Sequence, residues 1–343
     1  MNPYISIICP CYNGAAFIAC AIQSVIRQPA DCLELIIVDD GSTDDTGVIC
    51  NQYVSESVRY FRTDNLGTGH ARNYGLEQAK GTWIMYLDAD DLYLLNAIDT
   101  GFIHRLNEYE KQDVDIVYTP CSYVDFGLRQ WIRNEKVEEL NTIPQYTFWN
   151  GIYSHAFLRN HRIRFYEYKE QDIESAFRYL TFQNARSTVT DNRMKFYLQR
   201  ENYSSNTHTW DLRKVSEIKT LVYDDLIRNH ADSTEQHDRL LRELLSIVNT
   251  YFIEVYRNGF ENKKRYSEVC KIAKECLHDK RSRHLLGAKQ YRKELARYYR
   301  CRLSAKEQSA ADIKRPDGAK NDLTSEYVMD RLQLISQFLL NES

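Results

Sequence analysis

Trp83-Ile84-Met85-Tyr86-Leu87-Asp88-Ala89-Asp90-Asp91 is the stretch on which the fold turns. Its apolar first half reads as a strand buried on both faces, the habit of a parallel sheet. The carboxylates that follow then stand at the carboxyl end of that strand, where open α/β sheets bind ligands. Clustered carboxylates repel one another unless a cation is shared between them. Hard ions such as Mg²⁺ or Mn²⁺ take oxygen ligands and bridge readily to substrate phosphates. The competing reading is a strand followed by an acidic helix cap, with Asp favoured by the helix dipole.

Working outward, strands and helices alternate. Tyr4-Ile5-Ser6-Ile7-Ile8-Cys9 is a buried-type strand that ends at Pro10. Phe17, Ile18, Ala21, Ile22 and Val25 have helical spacing over 15–27. Leu33-Glu34-Leu35-Ile36-Ile37-Val38 is a second strand, closed by Asp39-Asp40-Gly41-Ser42, after which Thr43 or Asp44 can cap a helix to about Tyr53. A third strand falls at 58–61. A helix over 69–80 is entered through the glycines of Asn65-Leu66-Gly67-Thr68-Gly69. Such alternation implies a parallel sheet with right-handed crossovers.

The middle of the chain, 111–211, is less regular and rich in aromatics. Asp115-Ile116-Val117-Tyr118 reads as a strand, and Trp149, Tyr153, Phe157 and Leu158 as one short helix. Ile173, Ala176, Phe177 and Leu180 share a face of a helix that begins near Asp172. From Leu212 the pattern is helical, with Ile218, Leu221, Val222 and Leu226 in one helix and Leu240, Leu244, Val248, Phe252 and Val255 in a longer one. A polar stretch at 304–322, with Pro316 and Gly318, reads as a linker before a last stripe of Val328, Leu332, Ile335 and Leu339. The expected fold class is α/β: a Rossmann-like, mostly parallel sheet flanked by helices, divided as 1–110 and 111–211 and followed by a helical region, 212–343.

Composition sets bounds. With 343 residues, 43% hydrophobic and 27% charged, the chain is long enough for two or three ordinary domains. No apolar run approaches the roughly 18–20 residues of a membrane span. The N-terminal Met1-Asn2-Pro3-Tyr4 has no basic leader, and the nine scattered cysteines form no C-x-x-C pair. Both features predict a reduced, cytoplasmic protein in which Cys9 and Cys11 fill space. Net charge is −3, yet 261–306 holds 15 Lys and Arg against 5 Asp and Glu. A basic block on an otherwise acidic chain favours an anionic partner.

Several segments together resemble the family 2 glycosyltransferases, GT-A fold enzymes that use nucleotide-sugar donors. They are Ser6-Ile7-Ile8-Cys9-Pro10-Cys11-Tyr12-Asn13, Ile37-Val38-Asp39-Asp40-Gly41-Ser42-Thr43-Asp44, Asn65-x-Gly67-x-x-x-Ala71-Arg72-Asn73-x-Gly75 and Leu87-Asp88-Ala89-Asp90-Asp91. Trp149-Asn150-Gly151-Ile152-Tyr153 through Ile163-Arg164-Phe165 looks like the family's acceptor-side segment. The resemblance covers about 1–210 and is strongest over 1–100. It implies a donor-binding half at 1–110 and an acceptor-binding half at 111–211.

By that resemblance Pro10, Tyr12 and Asn13 cradle a nucleoside, and Asp40 accepts a hydrogen bond from the N3–H of uracil, while Asp39 is mainly structural. Asp88 bonds ribose hydroxyls. Asp90 holds Mn²⁺ or Mg²⁺ against the donor diphosphate, where the ion acts as a Lewis acid. Arg72 pairs with a phosphate, the alternative being an exposed helix arginine. Asp91 caps the next helix. Inverting transfer also needs a carboxylate to take the acceptor proton. In Glu170-Gln171-Asp172-Ile173 the matching position is Asp172, with Glu170 in reserve; Gln171 replaces the family's usual Glu. Tyr197-Leu198-Gln199-Arg200 and Ser204-Ser205-Asn206 resemble a loop that closes over the diphosphate, with His208 a candidate ligand. The Gln-x-x-Arg-Trp signature of processive synthases is absent, which favours single-sugar transfer.

The resemblance thus implies a metal-dependent inverting glycosyltransferase that moves one sugar, from a UDP-sugar, to a glycan or lipid-linked acceptor in surface polysaccharide assembly. The basic block 261–306 would suit peripheral contact with the anionic inner face of the membrane; a helical appendage with solvated charges is the alternative. No nucleic-acid module accompanies the charge. Two rival functions are a sugar-phosphate nucleotidyltransferase, for which no Gly-rich basic N-terminal loop is present, and a nucleotide-sugar-binding scaffold subunit with a degraded site.

Overall fold

The runs that are buried at every residue become neighbours. In the computed structural model, which describes residues 3–124, 131–135, 147–169, 174–200, 211–258, 263–279, 281 and 285, β1 (Ile5–Cys11) and β2 (Leu33–Asp39) are buried at every residue and pair in parallel. β3 (Val58–Arg62) pairs in parallel with β2, and the fully buried β4 (Trp83–Tyr86) with β1. Helices α1 (Ile18–Ile26), α2 (Thr46–Asn51) and α3 (Thr68–Gln78) make the crossovers. Asp45 occupies the N-cap position of α2 without a side-chain cap bond, so neither Thr43 nor Asp44 is its cap residue; Asp44 instead accepts from the Thr46 N–H and hydroxyl.

After β4 come β5 (Leu92–Tyr93), α4 (Thr100–Lys111), β6 (Ile116–Tyr118), β7 (Cys121–Val124) and β8 (Trp131–Glu135). Asp99 caps α4 by accepting from the Phe102 N–H at 2.8 Å. The stretch read as one short helix is three elements: a 3-10 turn at Phe148–Asn150, β9 (Gly151–Ser154) and α5 (His155–Asn160). Apolar positions four apart at 149, 153 and 157 mimic a helix, but Tyr153 lies in a strand. α6 (Glu174–Asn184), β10 (Thr188–Thr190) and β11 (Tyr197–Arg200) complete this part.

The main sheet has the order β10-β6-β9-β4-β1-β2-β3. β9 runs antiparallel to both of its neighbours, while the other pairs are parallel. The α/β, mostly parallel reading therefore holds. A second sheet, β5-β11-β7-β8, includes the 197–200 segment, which is a strand and not a loop.

The described residues from 3 to 200 form one compact unit. Its core lies on both faces of the main sheet. On one side Tyr86, Phe148, Tyr153, Phe165 and Phe177 pack edge to face, with Phe165 and Phe177 stacked at 4.0 Å. Each such buried ring contributes roughly 1.5–3 kcal/mol over its exposed state. On the same side, where Ile8 is paired with Tyr86, α3 comes close enough to the sheet that Gly75 lies between Ile8 and Val38. Cys9 and Cys11 are buried free thiols, as space-fillers should be.

The described residues from 211 onward belong to a second unit and include three helices, α7 (Leu212–His230), α8 (Thr234–Asn258) and α9 (Lys263–His278). Leu240, Leu244, Val248, Phe252 and Val255 are buried along α8, as their spacing predicts. Among the described residues no helix is long and apolar enough to cross a membrane. The linker at 304–322, the last apolar stripe and most of the basic block lie outside the described residues.

A Cβ on Gly75 would meet Ile8 Cγ2 at 2.5 Å, inside the packed core. Gly75→Ala is therefore expected to destabilise the first unit by about 1–3 kcal/mol. The measurement is a lower urea midpoint at unchanged slope; an unchanged midpoint would mean that α3 moves off the sheet without cost.

Candidate functional site

Parallel pairing of β4, β1 and β2 brings three carboxyl ends to one edge. Leu87 N–H donates to Ile8 O at 3.0 Å, and Asp40 N–H to Cys11 O at 2.8 Å. The loops leaving these strands are then stitched together. Asn13, at φ +49°, donates its N–H to Ser42 Oγ, and its Oδ1 accepts from the Thr43 N–H. Gly14 N–H donates to Thr46 Oγ1. A methyl on Gly14 would touch Ala89 Cβ at 3.7 Å, so the turn after β1 faces the carboxylate turn after β4. Pro10 is buried within β1; Tyr12, 48% exposed, and the exposed Asn13 follow it at the rim.

Asp39 and Asp40 are both buried, and both are surrounded by donors. Asp39 accepts from the Ser42 N–H (2.8 Å), the Tyr60 hydroxyl (2.7 Å) and Arg62 Nη1 (2.9 Å). Asp40 accepts from the Thr63 hydroxyl and Leu66 N–H on Oδ1, and from the Gly67 N–H on Oδ2 at 2.7 Å. Asp40 thus shapes the 63–67 loop, on which Leu66 is 46% exposed. Gly67 has φ +103°, a region suited to glycine, and starts α3.

The carboxylate turn is held from two directions. Arg72, 2% exposed, puts Nη2 2.7 Å from Asp88 Oδ1, with its guanidinium 4.2 Å from the Phe148 ring and 5.1 Å from Phe165. Its Nη2 also lies 3.9 Å from Glu174 at the start of α6. From the second sheet, the Tyr197 hydroxyl donates to Asp91 Oδ2 at 2.6 Å and accepts from the Asp88 N–H at 3.3 Å. Arg200 N–H donates to Asp91 Oδ1 at 2.8 Å. Trp149 stacks on Tyr197 at 4.2 Å. Asp91 caps no helix, because β5 follows it directly; it is a fully enclosed tie to β11. Burial, then the charges of Asp90 and Asp88, push its carboxyl well above the ordinary range. Sequence reading missed Tyr197 and Asp91 as partners because they are more than a hundred residues apart.

Asp88 and Asp90 are half-buried. Among the described residues no group of three or more His, Cys, Asp or Glu side chains forms a metal cage. The donor set nevertheless fits a hard cation of the kind held by one or two carboxylates plus substrate phosphates. Asp88 and Asp90 both stand close enough to Asp91 for their charges to act on it, second to its burial.

The segment 165–169 lies against the first turns of α3. Asn73, 2% exposed, accepts from the Phe165 N–H and donates to the Phe165 carbonyl, both at 2.9 Å, and donates to Glu167 Oε1 at 2.8 Å. His70 Nδ1 is 3.1 Å from the other Glu167 oxygen. Burial acts to raise the Glu167 carboxyl, but the bonds to Asn73 and His70 outweigh it and hold it below its usual value. Asp172, Glu170 and His208 lie outside the described residues, as do Ser204, Ser205 and Asn206.

Removing the Asp40 carboxylate would strip three donors of their partner. Asp40→Ala is expected to cost about 1–3 kcal/mol for each buried donor left unpaired. Urea unfolding measures it; a wild-type midpoint would show that water takes the carboxylate's place.

The model of glycosyl transferase family 2 matches residues 6–190. An uncharacterized glycosyltransferase of Rickettsia typhi, RT0329, is 42% identical over 122 residues, 36% of this chain and 37% of that protein. Glycosyltransferase GlyG of Streptococcus pneumoniae serotype 4 is 32% identical over 120 residues, 34% and 38% of the two chains. The minor teichoic acid biosynthesis protein GgaB of Bacillus subtilis is 35% identical over 127 residues, 35% of this chain but 14% of GgaB. The matched region is thus little more than a third of the length of the first two and far less of the third. Among solved structures, S. aureus TarS 1–349 in complex with UDP-GlcNAc shares the fold, with a TM-score of 0.63 and 19% identity over 89% of this chain and 92% of that one. A family match over more than half of the residues, on a sheet edge that gathers the motif carboxylates, shows that the chain belongs to glycosyl transferase family 2.

Proposed function

We propose that this chain is a metal-dependent inverting glycosyltransferase. It moves a single sugar from a UDP-sugar to a glycan or lipid-linked acceptor in surface polysaccharide assembly. The observation that carries the reading is the shared edge: Tyr12 and Asn13, Asp40, and Asp88 with Asp90 stand at the ends of β1, β2 and β4. Relatives agree in kind, since GgaB is a teichoic acid biosynthesis protein and TarS was crystallised with UDP-GlcNAc.

In this reading residues 1–110 bind the donor and 111–211 the acceptor. Pro10, Tyr12 and Asn13 form the nucleoside cradle. Asp40 receives the uracil N3–H on Oδ2, which takes one internal bond where Oδ1 takes two. Arg72 pairs with a donor phosphate from its place beside Asp88, one of whose oxygens it holds while the other is left to ribose hydroxyls. Asp90 would hold Mn²⁺ or Mg²⁺. When bound, the ion neutralises charge that builds on the departing diphosphate. Asp172, with Glu170 in reserve, takes the proton of the acceptor hydroxyl. The acceptor oxygen then bonds to the anomeric carbon on the face opposite the diphosphate, whose bond breaks with its electron pair, and the configuration inverts. Contact of the basic block 261–306 with an anionic inner membrane face belongs to the same proposal.

The first test is a melting-temperature panel of nucleotides and nucleotide-sugars with Mn²⁺ and with EDTA, because a ligand of the folded state alone raises apparent stability. A metal-dependent shift with UDP is expected, and no shift with any nucleotide would overturn the donor site. Asp90→Ala is expected to lose donor hydrolysis and transfer. Asp172→Asn should keep UDP binding and lower transfer by about 10²–10⁴-fold; wild-type turnover in that variant would move the assignment to Glu170.

A further inference from the structure

Nothing in the proposed mechanism uses Asn73, although it is buried and spends both ends of its amide on one peptide segment. Its Oδ1 and Nδ2 hold the Phe165 N–H and carbonyl as a strand partner would. Nδ2 also reaches Glu167, whose other oxygen meets His70 one turn back on α3. The fit along 166–169 is equally close. A Cβ on Gly67 would fall 2.7 Å from the Tyr168 carbonyl and 2.8 Å from Lys169 Cα, and one on Gly69 would overlap the Tyr166 carbonyl. Five consecutive residues are therefore fixed on α3 by backbone contact and hydrogen bonds. Glu170 is the next residue in the chain, and Asp172 follows two positions later.

We infer that Asn73 is a positioning residue, which sets where the proton-accepting segment begins by fixing Phe165 to Glu167 on α3. This rests on the proposed role of Asp172. Its physical basis is that a carboxylate must lie within hydrogen-bond reach of the proton it takes, and that a displacement of about 1 Å far from the chemistry can cost 10²-fold in rate. Asn73 has no place in the donor cradle, so its loss should leave donor affinity intact. A residue that merely stabilised the fold would reduce the number of active molecules and leave the turnover of each one unchanged.

The test measures transfer at saturating UDP-sugar together with UDP–Mn²⁺ binding by calorimetry, whose stoichiometry counts folded sites. For Asn73→Ala, turnover per site is expected to fall about 10²-fold with an unchanged Kd for UDP. Glu167→Ala, which removes only the half-exposed second anchor, should give a smaller fall of the same kind and serves if Asn73→Ala does not fold. The deciding step is a double-mutant cycle. In an Asp172→Asn background, Asn73→Ala or Glu167→Ala should add little further loss, because the group they position is already gone. A full additional loss there, unchanged turnover in both variants, or a matching loss of UDP affinity would overturn the inference. Wild-type transfer by Asp172→Asn alone would instead overturn the base assignment, and the same cycle on Glu170→Gln would then judge Asn73.

Discussion

Two carboxylates buried side by side at the end of β2 set the conditions for everything around them. A buried charge without partners is far more expensive than the fold can bear. Asp39 and Asp40 therefore each gather three donors, and they take them from different places. Asp39 draws in Tyr60 and Arg62 of β3 and closes its own turn at Ser42. Asp40 folds the 63–67 loop around itself and ends on Gly67, the residue from which α3 starts. The position of β2 thus dictates where α3 begins. α3 in turn carries Arg72 to Asp88 and Asn73 to Phe165. The helix N-terminus next to Asp40 adds its own favourable field for a negative charge.

The strands that bind this network were legible because they are buried on both faces and so carry no polar alternation to confuse the reading. β1, β2 and β4 are of this kind. β9 was not legible. It is four residues long, begins at a glycine and is flanked by two short helical turns, so its aromatics fell into helical spacing. The helix α3 was legible, over 69–80, but the burial of its polar residues was not. Its sequence, Thr-Gly-His-Ala-Arg-Asn-Tyr-Gly-Leu-Glu-Gln, has no apolar stripe, yet Ala71, Arg72, Asn73 and Gly75 are all buried. Polar side chains can be enclosed only when partners wait for them, and those partners are Asp88, Phe165 and Glu167, distant in the chain.

Of the candidate site, the positions at strand ends could be read from the motifs, and the structure gathers them at one edge. What the motifs could not convey is the division of labour inside each. Within Asp88-Ala89-Asp90-Asp91 the last carboxylate turns inward to Tyr197 and Arg200, while the first is shared with Arg72. Local sequence rules favour a cap for Asp91, since an acidic residue after a strand commonly opens a helix. A hydroxyl arriving from β11 wins instead, because it satisfies the carboxylate and the Asp88 N–H together.

β9 has a consequence for how the chain is made. β1 to β4 pair with one another through short crossovers, so they can assemble as soon as the first ninety or so residues have left the ribosome. β4 then has β1 on one side and nothing on the other until Gly151–Ser154 is synthesised and inserts in the reverse direction. For that interval Trp83-Ile84-Met85-Tyr86, wholly apolar, is an open sheet edge of the kind that recruits other chains. Nascent or truncated forms ending before β9 therefore carry an aggregation-prone seam, and the late antiparallel strand is its intramolecular cover.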